Sequence, residues 1–492
     1  MSSRGICAAG HPLTAEAGAA VLREGGNAVD AAIAAMLMSW VAEPLLTGPG
    51  AGGYMLVAGA GTEPVVLDFF VEAPGGDAAA RGELLAVDVS FGDADQVFHV
   101  GAASCGAYGT PAGAEAAARR WGTVPLERLA APAARHARDG VPVNRQQAYI
   151  FEILEEIFAS DPTGTAEFMP GGQPLREGDV FRSAELGTTI ERLGAEGAEP
   201  FYRGDIADRV LAHLSAQGAA LTREDLAGYA AIEREPVRVG YRGHEVVTNP
   251  PPNAGGVLIG LALALLDKRT AGLPTIRELI AVMETVQDER TPAFLEGLAE
   301  PAFADRLLAS RLGSTTHISV VDADGLACSV TCTNGEGCGI VIPGTGIHVN
   351  NIMGEEDLSP LGFHTAPAGR RMPSMMAPTA VLSPDGELEL VLGSAGSNRI
   401  RSAILQTIVG VVDHGLAADA AVQAPRAHFE AGRIYTEPGV PLAGLETSGH
   451  EIVAFRDRNL FFGGVQAIER APATGALRGA GDPRRGGAVA IA

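Results

Sequence analysis

Two hydrophobic periods alternate along the chain and divide it into helix-forming and strand-forming stretches. Residues 14–24 carry apolar side chains at helical spacing and stop at Gly25-Gly26. Residues 28–41 are apolar nearly all round, which predicts a buried helix ended by Pro44. Two strand-like runs, 54–58 and 64–70, follow a glycine-rich turn. Helical spacing dominates from 112 to about 218, and 229–247 alternates in strand fashion. The rigid turn Asn249-Pro250-Pro251-Pro252-Asn253-Ala254-Gly255-Gly256 leads into an apolar helix at 257–266. Further helices are expected at 276–287 and 301–310, and the charged, breaker-rich stretch 270–311 is the best candidate for an exposed connection. From 315 onward the character changes. Short β-branched runs at 316–321, 327–333 and 346–350 precede strands at 377–382 and 388–393 and a helix at 399–412. Strands stacked between helical layers fit an α+β architecture, and no internal repeat is present.

Composition narrows the function classes. Hydrophobic residues make up 46%, enough for a large core, and 64 glycines with 31 prolines imply many tight turns. A formal charge of −23 argues against nucleic-acid partners, which require phosphate-neutralising Lys and Arg. The five cysteines (Cys7, Cys105, Cys328, Cys332, Cys338) show no CxxC pair and no metal-ligand spacing with histidine. No metal or other cofactor is expected. Sparse cysteine, no signal-like h-region and no bilayer-length apolar run make the cytoplasm the expected compartment, with no membrane partner.

Two motifs invite chemistry. Glycines 48, 50 and 53 match GxGxxG, but they follow a helix and precede a strand, the reverse of a dinucleotide site. Their plainer meaning is a backbone that something approaches closely. Thr315, in Ser314-Thr315-Thr316-His317-Ile318-Ser319-Val320-Val321-Asp322, is more informative. Were the bond before it cut, one residue would hold a hydroxyl and an α-amine titrating near ~7.7–8, its own general base. His317 shares that strand face but is not needed as base. Cys328 and Cys332 read as core, as do Trp40 and Trp121.

Taken in order, several segments resemble the γ-glutamyltranspeptidase family. They are Gly26-Asn27-Ala28-Val29-Asp30-Ala31-Ala32, Phe201-Tyr202-Arg203-Gly204, Leu221-Thr222-Arg223-Glu224-Asp225-Leu226, Tyr241-Arg242-Gly243, the turn at 250–256, the Thr315 segment, Gly393-Ser394-Ala395-Gly396-Ser397-Asn398-Arg399-Ile400 and Asp482-Pro483-Arg484. The resemblance spans nearly the whole chain. It implies a four-layer αββα sandwich of the N-terminal-nucleophile hydrolase type. It also implies self-cleavage between Ser314 and Thr315 into segments 1–314 and 315–492, which stay together as one domain.

The site residues follow from the same resemblance. Thr315 would attack the Ser314 carbonyl, then a substrate amide, giving an acyl-enzyme that passes to water or an amine. Thr333 matches the threonine whose hydroxyl bonds the nucleophile. Gly396 and Ser397 fall on two successive glycines whose N–H groups form the oxyanion hole, worth about 2.7–4 kcal/mol per donor. Ser374 and Met375 fall on a serine pair, keeping only the first hydroxyl, and the acidic residue that follows Asn350-Asn351-Ile352-Met353 is Glu355, Glu356 or Asp357, with Glu355 the positional match. Asn334 stands next to Gly335, which occupies the usual polar position. The departure is Phe70, in Leu67-Asp68-Phe69-Phe70, where the family has the arginine that holds the substrate α-carboxylate. Losing such a partner costs about 2–5 kcal/mol unless Arg370, Arg371 or Arg399 replaces it. Intact acyl-transfer machinery with a more apolar acyl pocket is therefore expected, acting on a small non-standard amide or acyl substrate. The alternatives are true γ-glutamyl transfer or glutathione hydrolysis, and an uncut, non-catalytic scaffold.

Overall fold

The computed structural model describes residues 4–76, 81–90, 95–269, 272–288, 315–358, 362–446 and 448–492. Its main strands, in chain order, are β1 (Gly5–Ala9), β2 (Gly52–Gly59), β3 (Thr62–Phe69), β4 (Ile232–Arg234), β5 (Val237–Tyr241), β6 (His244–Thr248) and β7 (Thr316–Asp322). Then come β8 (Leu326–Thr333), β9 (Thr379–Leu382), β10 (Leu388–Ala395), β11 (Gly464–Arg470), β12 (Leu477–Gly481) and β13 (Ala488–Ile491). They build a seven-stranded sheet in the order β13-β1-β7-β8-β2-β3-β4 and a six-stranded sheet in the order β12-β11-β10-β9-β6-β5. Every pairing within both sheets is antiparallel.

Helices α1 (Pro12–Arg23) and α2 (Ala28–Ala42) cover the outer face of the first sheet. Helices α3 (Gly255–Arg269), α4 (Arg399–Val412) and α5 (Ala418–Gln423) cover the outer face of the second. The result is the expected four-layer αββα sandwich. Strands from both sides of position 314 interleave: β1 lies between β13 and β7, and β9 pairs with β6. Neither half owns a sheet.

Helix α2 illustrates how the sequence dictates its element. The Asn27 side chain accepts from Val29 and Asp30 N–H, each at 2.9 Å, while the Asp30 carboxylate accepts from Asn27 N–H at 3.0 Å. This reciprocal cap starts the helix where its apolar run begins. All fifteen of its residues are buried, as an all-round apolar helix requires. Among the described residues no helix is long and apolar enough to cross a membrane.

The glycine motif resolves as close backbone approach. A Cβ on Gly50 would lie 2.5 Å from the His348 carbonyl oxygen, and one on Gly53 would lie 2.5 Å from that of Thr331. Two expectations need correction. The stretch 270–311 is not simply an exposed connection: Ile276–Asp288 is a helix with Leu279, Ile280, Val282, Met283 and Val286 buried. The run at 346–350 shrinks to a two-residue strand, Ile347–His348. The helix expected at 301–310 and the residue Ser314 lie outside the described residues.

Candidate active site

Strands β7 and β8 pair with Thr316 opposite Cys332, so the register continued by one residue sets Thr315 opposite Thr333. Both threonines are buried. Side chains alternate along β7. Thr316 Oγ1 points to the helix layer and donates to Glu43 Oε2 at 2.7 Å, whereas Ser319 Oγ donates to the Gln466 carbonyl of the second sheet at 3.0 Å. Thr315 therefore shares the inter-sheet face with His317 and Ser319. Thr333 Oγ1 accepts from Gly335 N–H at 2.8 Å, which fixes the turn that follows β8.

His317 is a structural element of that face. Its Nδ1 lies 2.8 Å from Thr331 Oγ1 and its Nε2 lies 3.0 Å from Ser319 Oγ. Burial pushes its pKa down to about 3, so it stays neutral through the physiological range. The ring packs on Gly393, where a Cβ would meet it at 2.3 Å. Strand β10 runs on from Gly393 toward the end of the sandwich that holds Thr315. There the chain turns into α4 through Gly396 (φ 118°) and Ser397 (φ 60°). A serine in the left-handed region marks a backbone held against its own preference, by about 1–2 kcal/mol.

The other flank is apolar. Phe70 is fully buried and stacks on Tyr54 with ring centroids 5.5 Å apart. It shares a cluster with Val71, Ile352, Met353, Met372, Met375 and Met376. Met375 is fully buried, and Ser374 next to it accepts Met376 N–H on Oγ at 3.1 Å. Asn334 is fully buried, and its carboxamide has no hydrogen-bond partner among the described residues. Glu355 closes over Gly335, whose Cβ would lie 2.4 Å from Glu355 Oε1. Thr333, Asn334 and Glu355 thus gather around the β8 end, with Phe70 one strand beyond across Gly52, while Met375 packs against Gly255 in the same core cluster.

Two of the three candidate arginines, Arg371 and Arg399, are engaged elsewhere. Arg371 lies under Phe70, donating from Nη1 to the Phe70 carbonyl at 2.5 Å and from Nη2 to Ala230 at 2.7 Å. Its Nε is 3.3 Å from Asp68 Oδ1, its Nη2 is 3.3 Å from Glu72 Oε1, and its guanidinium lies over the Tyr229 ring. Arg399 stacks over Phe461 at 4.4 Å and donates to the Phe461 carbonyl at 3.0 Å. Arg370 sits half-buried in the turn before Arg371, its carbonyl accepting from Ala73 N–H.

Three charged residues near Thr315 were not singled out from the sequence. Glu43, at the end of α2, accepts from Thr14 at 3.0 Å as well as from Thr316. Burial raises its pKa to about 7 against the lowering effect of those two hydrogen bonds and of Arg485. Glu336 is buried two residues beyond Asn334, with its N–H on Asn351 Oδ1 at 3.0 Å. An acidic residue in the Asn334-Gly335-Glu336-Gly337 turn was the available signal. Arg485 is buried against Gly396, where a Cβ would lie 3.2 Å from its Nη2. The segment Asp482-Pro483-Arg484 that carries the resemblance stops one residue short of it.

Comparison with known proteins shows the family. Residues 14–492 match the family profile described as gamma-glutamyltranspeptidase. The chain is 32% identical to a glutathione hydrolase proenzyme of Escherichia coli (strain K12), covering 98% of this chain and 91% of that protein. It is also 32% identical to an acylase ACY 1 proenzyme of Pseudomonas sp. (strain SE83), covering 97% and 92%. Among solved structures, cephalosporin acylase from Bacillus halodurans superposes with a TM-score of 0.85 at 28% identity, covering 99% of this chain and 96% of that one. On fold, strand-end geometry and sequence together, this chain belongs to the γ-glutamyltranspeptidase family of N-terminal-nucleophile hydrolases and is an enzyme.

Proposed function

We propose that the chain cuts itself between Ser314 and Thr315 and that the new N-terminal Thr315 carries acyl groups from small amides to water or an amine. The α-amine takes the hydroxyl proton, and the oxygen attacks the amide carbonyl to form a tetrahedral oxyanion. That intermediate collapses to an acyl-enzyme as the α-ammonium of Thr315 returns the proton to the departing nitrogen of the broken C–N bond, which leaves as a neutral amine. Thr333, across the strand pair, orients the nucleophile; the N–H groups of Gly396 and Ser397 receive the oxyanion. Asn334, Glu355 and Ser374 supply polar contacts to the substrate. The two segments remain joined after the cut because their strands alternate in both sheets. Five free, buried cysteines suit a reducing compartment, and we place the enzyme in the cytoplasm.

The observation that carries the substrate reading is Phe70 with Arg371 locked beneath it. An apolar ring stands where an α-carboxylate would need a guanidinium, and the arginine closest to it is already held by two carboxylates and two carbonyls. The acyl group is therefore apolar where a γ-glutamyl donor is zwitterionic. Matched anilides test this. Turnover of a butyryl or phenylacetyl anilide should exceed that of the γ-glutamyl anilide by at least ~30-fold, the low end of the 2–5 kcal/mol range. Preference for the γ-glutamyl anilide would overturn the assignment. Purified protein should run as two bands, and Edman degradation of the smaller should read Thr-Thr-His-Ile-Ser. An active, uncut Thr315→Ala variant would remove Thr315 from its role.

A further inference from the structure

Consecutive arginines close the chain's last turn, and the fold treats them differently. Arg484 is paired: its Nη1 is 3.1 Å from Asp482 Oδ1, its Nε donates to Glu437 Oε1 at 2.7 Å, and its Nη2 contacts the second Glu437 oxygen. Arg426 pairs with the same Asp482 at 2.7 Å. These ion pairs tie the loops together.

Arg485 has no such partner among the described residues. Its Nη2 donates to the Leu460 carbonyl at 3.2 Å, and its Nε has no hydrogen-bond partner. Its stem crosses Gly464, where a Cβ would lie 2.6 Å from Cδ, and its head rests against Gly396. Asp482, Glu336 and Glu43 act on it only through their fields, opposed by Arg399. Burial lowers its pKa to about 10, still far above any working pH, so the group remains a cation. A desolvated guanidinium without a contacting carboxylate is costly, and a fold keeps one where its field acts on something else.

We propose that Arg485 is a positioning residue of the acyl-transfer site, a fixed cation behind the Gly396–Ser397 turn that holds this turn in place and stabilises the negative oxygen developing there. The inference rests on the assignment of Thr315 as nucleophile and of that turn as oxyanion receptor. The charge acts through the turn: it favours N–H groups aimed at an anion, and it is preorganised, because Leu460 and the stem contacts hold it before substrate arrives. It also explains why a serine tolerates φ 60° at position 397: the turn is braced from behind.

The test compares Arg485→Gln and Arg485→Lys in the self-cleaved enzyme, using the best anilide and an alkylboronic acid that forms an anionic tetrahedral adduct on Thr315. Arg485→Gln should lower kcat about a hundredfold, the scale of one oxyanion-hole donor, with KM within threefold. It should weaken binding of the boronic acid by a matching factor. Arg485→Lys, which keeps the charge, should recover at least a tenth of wild-type kcat. Unchanged kcat and boronic-acid affinity in Arg485→Gln overturns the proposal. So does an Arg485→Lys enzyme with native melting temperature that is as inactive as the Gln form. If Arg485→Gln fails to fold, the Lys variant alone decides by the same criterion. Failure of the underlying assignment is distinguishable: wild-type enzyme would then not bind the boronic acid covalently, and Thr315→Ala would retain activity.

Discussion

Glu43→Gln should convert a pH-dependent cost into a constant. The Glu43 carboxylate is fully buried at the end of α2, with one oxygen on Thr14 and the other on Thr316. Both contacts and the Arg485 field favour the ionised form, yet burial outweighs them and the pKa rises from 4.5 to about 7. A carboxylate whose folded-state pKa is raised favours the folded state most when protonated. Its stabilising contribution is fully present below the unfolded value and is lost as pH climbs through about 7. The difference amounts to about 3 kcal/mol, undiscounted because the group is buried. Glutamine keeps the shape and one donor-acceptor pair but must turn one threonine hydroxyl round, an offset that does not vary with pH. The assay is urea unfolding at pH 4.5, 6 and 8 in a Thr315→Ala background, so that one uncut chain is compared with another. Other titrations cancel in the stability difference between the chain with Glu43 and its Glu43→Gln variant. That difference should swing by about 3 kcal/mol toward the variant between pH 4.5 and 8. A flat difference, or a swing toward the Glu43 chain as pH rises, would show the carboxylate to be ionised throughout and the burial argument to be wrong.

Further outcomes follow from the same geometry. Arg371→Met leaves the fully buried Asp68 with Arg234 and the Phe70 N–H and should cost about 3 kcal/mol of stability, read from the urea midpoint. Ser397→Gly should stabilise the fold by up to ~1 kcal/mol, since glycine accepts φ 60° freely but costs more to order. Gly396→Ala should destabilise it, because its Cβ would meet Gly463 Cα at 2.6 Å at φ 118°. Differential scanning calorimetry separates the two. The pH profile of kcat/KM should show one acidic limb, activity rising with pH through ~7.7–8 as the Thr315 amine loses its proton. His317, held near 3 by burial, should contribute no limb between pH 5 and 8, and a His317 variant that shifted the amine limb would give that ring a catalytic part.

The strongly periodic elements were legible from sequence. Helix α4 spans 399–412 as its apolar spacing indicates, and α2 ends one residue beyond its expected limit. Strand starts were less visible. β2 begins at Gly52 rather than at Tyr54, because its first two positions must be glycine to lie against Val71 and Thr331, a tertiary demand that lowers strand propensity. Thr315 and Thr333, placed by resemblance, fall opposite each other through a register that spacing alone leaves open.

What sequence could not supply was the partner of each buried charge. Arg371 and Arg399 looked like replacements for the arginine lost at Phe70, and burial among carbonyls, carboxylates and rings removes both from that role. Arg484 and Arg485 are identical neighbours, yet one closes a network with Asp482 and Glu437 while the other turns to Gly396. A guanidinium's function is set by which acceptors reach it, and those acceptors come from loops far apart in the chain. The same logic separates the two flanks of Thr315. Toward β3 lie Phe70 and buried methionines; toward β1 and β13, Glu43 and Arg485 are buried and charged or chargeable. Substrate choice can drift on the first flank without touching the second, because binding contacts to the acyl group and the field at the reacting oxygen are different interactions held by different strands. A Phe70→Arg variant should then move the acyl preference toward anionic donors and leave the effect of Arg485 on boronic-acid binding in place, and coupling between the two substitutions would refute that separation.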